Sequence, residues 1–451
     1  MLSEGFITAI RAQPKTANTA IAKDVGIYMH GLQQSHAIKS SFKRSSAPVN
    51  ALAASTTHIF AAQADKAVVH VYSREEREKG KQEATVAFPE RIHCLALVGE
   101  STLAIGTVEG RMILWEACDP AIKYHICTGR TVSTPAAHLQ AVTCIASSKS
   151  HITTGSQDSN VHVWSIPRLL ALGAGETHHE PVRTLSNHRA AITSLVVGQS
   201  TNQTNICVSA SRDNTIIVWN HHTGDLLRTF LLPDTPLCLA LDPCHRAVYA
   251  GFEDGSLQVI ELLNARSALN PLYDPSLQTT PVQVTLPPWT APIEAGSAFC
   301  IGLSYDGTHI ISGHASGKIS QWDTGRRAFV SELVDLNAPV TNLLMLSPFA
   351  PKRMTKVINV VKPKIGEVQY TFTAQLCGPP PATSFDNVVQ SLGFPADMLH
   401  DAISRFSVPP GSSSSGDDKL QKENAELWKV VQEQQELQKK TLEKYNKLKS
   451  G

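Results

Sequence analysis

Two stretches of the chain share a pattern in which an Asp precedes a Trp by six residues, with an apolar run between them. Residues 154–164 are TGSQDSNVHVW, and residues 209–219 are SASRDNTIIVW. A His stands ahead of each copy, at His138 and at His188. A pattern that returns along a chain indicates a fold built from repeated supersecondary units.

Weaker copies of this pattern occur along most of the chain, each with a short turn followed by an apolar or aromatic strand end. Alternating apolar residues within the units, as at 141–145 and 192–196, are typical of short strands. Seven strand ends are predicted, at Tyr28, Tyr72, Trp115, Trp164, Trp219, Ile260 and Trp322. Several strands in each unit of about 40–45 residues are the signature of a β-propeller.

The repeats resemble the WD-repeat family over residues 1–376, and two units, 138–164 and 188–219, match its motif well. The resemblance implies an all-β, seven-bladed WD-repeat β-propeller. The other five units are degenerate, so the number of blades is an expectation.

Closure of the propeller is expected to use both ends of the chain. Segments 339–346 and 368–376 are predicted to pair with N-terminal strands around 5–12 and 20–31. A blade shared by both ends removes exposed sheet edges, which otherwise favour aggregation.

The WD-repeat resemblance also implies two buried hydrogen-bond sets. They are His138, Thr154, Asp158 and Trp164 in one unit, and His188, Ser209, Asp213 and Trp219 in the next. A catalytic Ser-His-Asp arrangement would need an exposed hydroxyl and an oxyanion hole. Because the sets recur with the strand period, we expect them to stabilise blades.

Composition excludes several classes of function. The 451 residues carry a formal net charge of +1, unlike domains that wrap duplex nucleic acid. Nine scattered Cys without a Cys-x-x-Cys pair indicate reduced, buried thiols in an intracellular protein. No apolar run reaches the ~20 residues of a membrane helix. Nucleotide and metal motifs are missing, so we expect no catalytic residue, no metal, no cofactor and no enzyme activity.

Two regions are candidates for binding a partner. The insertion at 265–296 is Pro-rich and carries Trp289, and insertions of this length are commonly functional or disordered. Segment 382–406 has helix-like apolar spacing interrupted at 393–395. The candidate partner-binding residues are Trp289, Phe385, Phe394 and Leu399.

The C-terminal part divides into a short helical and linker segment at 377–408, a Ser/Gly/Pro linker at 409–416, and a helix at 417–451. The last segment has a heptad pattern that favours a parallel, two-stranded coiled coil, and hence a homodimer. The dimerisation residues are Leu420, Asn424, Leu427, Val431, Tyr445 and Leu448. The alternatives are a single solvated helix and pairing with a helix of another subunit.

The chain as a whole resembles one branch of the WD-repeat proteins, the Ipi-three/WD repeat domain eighteen family. The resemblance rests on the opening MLSEGFITAI, the degenerate propeller with two clear repeats, and LQKENAELW at 420–428. It implies a non-catalytic scaffold subunit of a nuclear complex, found in nucleolus and nucleoplasm, that matures the pre-60S ribosomal particle. The complex would support processing of the pre-rRNA internal transcribed spacer and remodelling of the particle by an AAA ATPase.

The same resemblance implies the partners. They are a helical-repeat scaffold subunit, an accessory subunit, a dynein-related AAA ATPase and the pre-60S particle, with rRNA contact expected to be indirect. The alternative function is that of a substrate receptor for a cullin-type ubiquitin ligase, or another generic protein-interaction scaffold. Such receptors carry Trp-Asp-x-Arg at a blade end, whereas here Trp322-Asp323 is followed by Thr324-Gly325.

Overall fold

A computed structural model describes most of the first 348 residues and parts of the remainder. Two compact units are present, Met1–Asp397 and Met398–Gly451. The described residues are 4–11, 26–32, 36–74, 82–99, 101–117, 124–127, 129–171, 179–198, 205–263, 271–274, 277–292, 294–348, 360, 362–363, 373–376 and twelve helical positions between 426 and 441.

The first unit consists of antiparallel blades whose strands follow one another along the chain. The N-terminal strands β1 (Gly5–Ile10), β2 (Gly26–Gly31) and β3 (Ala37–Lys43) belong to blade 7. Blade 1 contains β4 (Leu52–Ala54), β5 (His58–Ala62), β6 (Val68–Ser73) and β7 (Gln82–Ala87). Blade 2 contains β8 (Ile92–Val98), β9 (Thr102–Thr107), β10 (Met112–Glu116) and, after a separate strand β11 (Tyr124–Cys127), β12 (Thr131–Ser133).

Blades 3 and 4 are the two units in which the repeat is clearest. Blade 3 contains β13 (Val142–Ser147), β14 (His151–Ser156), β15 (Val161–Ser165), the short helix α1 (Ile166–Leu170) and β16 (Arg183–Leu185). Blade 4 contains β17 (Ile192–Val197), β18 (Ile206–Ser211), β19 (Thr215–Asn220) and β20 (Leu226–Leu231).

The remaining blades are less regular. Blade 5 has three strands, β21 (Pro236–Leu241), β22 (Ala247–Phe252) and β23 (Leu257–Glu261). A 3-10 turn (Pro271–Tyr273) and β24 (Val282–Gln283) follow, and β24 joins blade 4 as a parallel fifth strand. Blade 6 contains β25 (Ala298–Leu303), β26 (His309–His314), β27 (Lys318–Asp323) and β28 (Ala328–Asp335). The last strands are β29 (Val340–Leu346) and β30 (Thr373–Leu376).

The blades close into a ring of seven. The innermost strands β4, β8, β13, β17, β21, β25 and β29 lie side by side in that order, and β29 lies beside β4. The second strands of blades 2, 3, 4, 5 and 7 are buried at every residue, because both faces of each blade pack against neighbours. The predicted seven-bladed all-β propeller is therefore confirmed.

Closure uses one C-terminal strand rather than two. Strand β29 pairs with β1 from Gly5↔Leu346 to Ile10↔Val340, as predicted for segment 339–346. The prediction for segment 368–376 is wrong, because β30 pairs with β11 instead. The predicted partner strands are already paired on both edges: β1 lies between β29 and β2, and β2 lies between β1 and β3.

The second unit contributes helical residues between 426 and 441. Trp428, Val430 and Leu437 are exposed there. All six predicted dimerisation residues, Leu420, Asn424, Leu427, Val431, Tyr445 and Leu448, lie outside the described residues. The coiled coil stays a prediction.

Candidate functional site

In blade 3 the structure brings the first predicted hydrogen-bond set together. Thr154 lies on β14, and its Oγ1 is 2.9 Å from His138 Nε2 and accepts a hydrogen bond from Trp164 Nε1 at 3.0 Å. His138 Nδ1 lies 3.1 Å from Asp158 Oδ2, in the turn between β14 and β15. The hydroxyl thus links a buried indole on β15 to a histidine from the loop before β13.

Blade 4 has the same arrangement with serine in place of threonine. Ser209 Oγ lies 2.7 Å from His188 Nε2 and accepts from Trp219 Nε1 at 2.9 Å. His188 Nδ1 lies 3.0 Å from Thr215 Oγ1 and 3.4 Å from Asp213 Oδ2.

The two aspartates are held ionised by their surroundings. Burial alone would raise the pKa of Asp158, but hydrogen bonds from His138 and from the backbone amides of Asn160 and Leu139 outweigh it and lower the pKa to about 2. Burial would raise the pKa of Asp213 as well, but hydrogen bonds again outweigh it, so the pKa of Asp213 is also lowered.

These sets stabilise the fold and offer no reactive hydroxyl. Thr154 and Ser209 are fully buried, and each hydroxyl already accepts a hydrogen bond from a Trp. A nucleophile must be reachable by substrate, which these atoms are not. The arrangement satisfies polar groups inside the sheet, and satisfied buried networks specify a single packing.

A third set, in blade 6, was missed by the sequence analysis. Trp322 Nε1 donates to Ser312 Oγ at 2.7 Å, and the same oxygen lies 2.7 Å from His314 Nε2. His314 comes from β26 itself rather than from the preceding loop, and its Nδ1 lies 3.1 Å from Gly296 O. The sequence does contain a signal for this set, Ser-Gly-His ahead of Trp. A search for a His in the preceding loop and an Asp in the turn does not detect it.

In blade 7 the structure differs from one of the predicted strand ends. In each set, the residue with the central hydroxyl pairs with a residue on the next strand, and the Trp lies two residues after that paired residue. In blade 7, Thr8 pairs with Tyr28, so His30 holds the position of the Trp. His30 Nε2 lies 2.8 Å from Thr8 Oγ1, so the imidazole replaces the indole. The prediction of Tyr28 as the strand end is wrong by two residues. Burial, with a smaller contribution from His36, lowers the pKa of His30 to about 3.

Side chains on the innermost strands connect successive blades around the ring. In each case a thiol or hydroxyl donates to the backbone carbonyl at or just before the start of the next innermost strand. The bonds run from Cys94 Sγ to Val142 O (3.3 Å), Thr143 Oγ1 to Ile192 O (2.7 Å), Thr193 Oγ1 to Pro236 O (2.6 Å), Cys238 Sγ to Ala298 O (3.3 Å), Cys300 Sγ to Val340 O (3.6 Å) and Thr341 Oγ1 to Ala47 O (2.8 Å).

Four cysteines on the innermost strands require glycine on the adjacent strand. Cys94, Cys144, Cys238 and Cys300 pair with Gly106, Gly155, Gly251 and Gly313. A Cβ at Gly251 would lie 2.7 Å from Cys238 Sγ, which is closer than real Cβ atoms approach. Burial raises the pKa of Cys238 to about 12, which leaves the thiol protonated and inert. Six cysteines of the described residues are free, and five of these are buried, as predicted, whereas Cys244 is exposed.

The partly buried Asp158 and Asp213 also fix the backbone of residues on the face where the innermost strands begin. Asp158 Oδ2 accepts from the Leu139 amide at 2.9 Å, and Asp213 Oδ2 accepts from the Arg189 amide at 2.7 Å. Leu139 is 89% exposed and Arg189 is also exposed. Each network therefore fixes the backbone of one residue whose side chain faces solvent.

A central channel of about 440 Å³ runs between the innermost strands. Asn50 lies at its wall and connects three blades: its Nδ2 donates to Thr143 O and Thr193 O, each at 3.3 Å, and its carbonyl accepts from the Leu95 amide at 2.8 Å. Asn50 therefore links its own blade to three others and has a structural role.

Of the four candidate partner-binding residues, one is buried and three lie outside the described residues. Trp289 is only 5% exposed and packs against Tyr249 and Trp322, with its backbone paired to Leu257. The prediction that Trp289 contacts a partner is therefore wrong, because its ring fills the core of blades 5 and 6. Phe385, Phe394 and Leu399 lie outside the described residues.

Within the described part of the chain, no group of three or more His, Cys, Asp or Glu side chains is arranged to hold a metal ion. No helix among those residues is long and apolar enough to cross a membrane.

Comparison with known proteins agrees with the fold. The family described as "WD domain, G-beta repeat" matches residues 129–165 and 179–220, which are blades 3 and 4. The chain is 25% identical to "Pre-rRNA-processing protein IPI3" of Yarrowia lipolytica over 84% of this chain and 88% of that protein. It is 27% identical to "Pre-rRNA-processing protein crb3/ipi3" of Schizosaccharomyces pombe over 67% of this chain and 71% of that protein.

A vertebrate relative shows the same likeness. "WD repeat-containing protein 18" of Danio rerio is 22% identical over 66% of this chain and 64% of that protein. Fold and repeats together define the class: this is a seven-bladed WD-repeat β-propeller. Within that class, the chain resembles the family of IPI3 and WD repeat-containing protein 18, as its first ten residues and its C-terminal segment indicated.

Proposed function

We propose that this protein is a non-catalytic scaffold subunit that acts in pre-rRNA processing in the nucleus. The observation that carries the proposal is the match to a pre-rRNA-processing protein over 84% of this chain and 88% of that protein. A propeller fold alone is shared by many unrelated functions and would not distinguish among them.

The geometry supports a scaffold in preference to an enzyme. A catalytic interpretation would use polar residues such as Thr154 and His138. These side chains already form hydrogen bonds inside the blades. Meanwhile hydrogen bonds to their amides hold the backbone of the exposed residues Leu139 and Arg189 in place at the surface. A preorganised backbone loses little conformational entropy when it binds a partner.

The finer proposal concerns the assembly. The protein would act on the pre-60S particle, where it supports removal of the internal transcribed spacer between the 5.8S-type and 25S/28S-type rRNA segments. It would work with a helical-repeat scaffold subunit and an accessory subunit, and would help to place the dynein-related AAA ATPase. The C-terminal helix would join two copies. Family resemblance supports each of these partners, and the nucleolus and nucleoplasm are the proposed locations.

Conditional depletion of the protein tests this function. Hybridisation probes for the spacer should reveal accumulation of large-subunit precursors that retain it, and re-expression of the intact chain should reverse the accumulation. Small-subunit precursors serve as the internal control and should change little. Unchanged spacer-containing precursors after depletion would contradict the proposal.

A further inference from the structure

Exposed arginine and aliphatic side chains share the face of the propeller on which the innermost strands begin. Three of these residues come just before the innermost strands of blades 2, 3 and 4, and two lie in the turns between the second and third strands of blades 2 and 4. Together they are termed the blade 2–4 surface: Arg91, Val108, Leu139, Arg189 and Arg212. All five side chains are exposed.

Within blades 2 and 4, a backbone hydrogen bond holds the turn against the chain that precedes the innermost strand. In blade 2 the Val108 amide donates to Arg91 O at 3.0 Å. In blade 4 the Arg212 amide donates to Ala191 O at 3.0 Å, two residues after Arg189. The exposed residues of each of these blades therefore lie side by side on this face.

Further contacts connect the three blades. The His138 amide donates to Gly110 O at 3.3 Å, which brings Leu139 next to the turn of blade 2. A Cβ on Gly110 would clash with His138 O, so the turn and the loop are in direct contact. Between blades 3 and 4, Thr143 Oγ1 donates to Ile192 O at 2.7 Å where β13 and β17 begin. The surface is therefore continuous from blade 2 to blade 4.

The arginines of the surface are not neutralised within the fold. Arg91, Arg189 and Arg212 form no ion pair with any of the described residues. Among the described turns and loops of blades 2–4 on this face, Glu109 is the one exposed acid. Three further acids are largely buried and already have partners, which are Arg111 for Glu90, His138 for Asp158 and His188 for Asp213. The exposed charge of the surface is therefore positive, and it attracts an anionic partner.

Two aliphatic side chains decide which kind of anion fits. Leu139 in blade 3 is 89% exposed, the largest exposed fraction among the large apolar side chains of the described residues, and it lies between the arginines of blades 2 and 4. Val108 is 44% exposed. A nucleic-acid backbone has no apolar group to cover these side chains, and unpaired bases stack on aromatic rings, which this surface lacks. A protein segment that combines carboxylates with an apolar side chain can cover the aliphatic side chains and pair with the arginines.

We propose that the blade 2–4 surface binds an acidic segment of a partner protein, in which an apolar side chain covers Leu139 and the flanking Asp or Glu residues pair with the arginines of blades 2 and 4. Blade 5 limits the path of this segment, because Glu253 and Asp254 are exposed on the same face and repel it. The inference goes beyond the proposed role in pre-rRNA processing and does not depend on it, since it rests on the exposure and charge of this surface.

Site-specific photo-crosslinking tests the location and the chemistry of the partner. A photoreactive phenylalanine analogue replaces Leu139 in the full-length protein, expressed in its native cells, and mass spectrometry identifies the adduct. The matched control places the analogue at Tyr305, which is 55% exposed in the turn between β25 and β26, on the opposite face of the propeller. The expected result is an adduct from position 139, and not from position 305, to a peptide of another protein with Asp or Glu on both sides of the crosslinked residue.

Each of the other outcomes overturns the proposal. An adduct that ribonuclease removes would show a nucleic-acid surface, and a crosslink to a second copy of this chain would show a homotypic contact. A crosslinked peptide without acidic residues would contradict the role of the arginines. Equal yields at positions 139 and 305, or no adduct at 139, would show that the surface binds no partner.

Binding of the identified peptide separates the apolar contact from the charged contacts. The peptide is synthesised, and its affinity for the purified full-length protein is measured by fluorescence anisotropy. Leu139→Ala should raise the dissociation constant about tenfold, because the complex then buries less apolar surface. Arg189→Gln combined with Arg212→Gln should raise the dissociation constant about fivefold and reduce its dependence on salt.

The control for these variants is Arg326→Gln, since the Arg326 side chain is 85% exposed in the turn between β27 and β28 on the opposite face. This variant should keep the dissociation constant within about twofold of that of the unchanged protein. Circular dichroism and thermal unfolding establish that all variants fold. An affinity that Leu139→Ala or the double arginine variant leaves unchanged refutes the proposal, whether or not depletion of the protein alters spacer processing.

Discussion

Thr154 provides the sharpest test of the hydrogen-bond sets, because its hydroxyl is a partner of two buried groups. Replacing Thr154 with Val keeps the shape and removes the acceptor for Trp164 Nε1 and the partner of His138 Nε2. Leaving a buried donor unsatisfied costs about 1–3 kcal/mol, and losing a second hydrogen bond costs about 1 kcal/mol more. We expect Thr154→Val to lower the free energy of unfolding by about 2–4 kcal/mol.

The neighbouring Thr153 is a matched control. It is buried on the same strand, and its Oγ1 donates to Ala146 O at 3.2 Å, a carbonyl on the strand that already pairs with β14. Thr153→Val should therefore cost about 1 kcal/mol or less. Guanidinium denaturation of the full-length proteins, monitored by tryptophan fluorescence, measures both changes.

A double-mutant cycle then isolates the contact itself. Thr154→Val and Trp164→Phe should be non-additive by about 1 kcal/mol, because each removes the same hydrogen bond. If Thr154→Val and Thr153→Val cost the same within about 0.5 kcal/mol, the argument that this hydroxyl organises blade 3 is refuted.

Three further predictions concern protonation, packing and assembly. His30 is neutral in the fold, so the stability that it contributes is present above its unfolded pKa of about 6.5 and is lost as the pH falls toward 3. Urea denaturation should show that about 2 kcal/mol of stability is lost between pH 7.5 and 5.0, and His30→Phe should remove this loss. An unchanged pH dependence in the variant would contradict the prediction. Gly251→Ala should destabilise by about 1–3 kcal/mol in the same assay, and Cys238→Ala should recover part of that loss if the sulfur is the obstacle. Leu427→Asp with Val431→Asp should halve the mass of the protein in light scattering, and an unchanged mass would contradict the dimer.

The repeat in the sequence predicted the propeller because similar strand ends recur at intervals of 41 to 62 residues. Six of the seven predicted strand ends, including Tyr72 and Ile260, hold the same position on the third strand of their blades. Spacing alone could not place the seventh, since His30 performs the role of Trp through an equivalent ring nitrogen. A pattern defined by residue type does not detect such a replacement of one hydrogen-bonding ring by another.

Long-range pairing was less predictable than local strands. Strand β30 was predicted to pair with the N-terminal strands, yet β1 lies between β29 and β2, and β2 lies between β1 and β3. The link between Cys238 and Ala298 joins residues of different blades, so no local pattern reveals it. Trp289 was predicted to face a partner because it lies in a long insertion, but its ring fills a core beside the three described strands of blade 5.

The central claim is that this propeller works on precursors of the large ribosomal subunit, and sedimentation of the native protein tests it most directly. A sucrose gradient of lysate that contains the tagged protein at its normal level separates free protein from particles, and the RNA and proteins of the heavy fractions are then identified. The account predicts co-migration with large-subunit precursors that retain the unprocessed spacer. A protein found in light fractions without ribosomal material, or bound to a cullin, would contradict it.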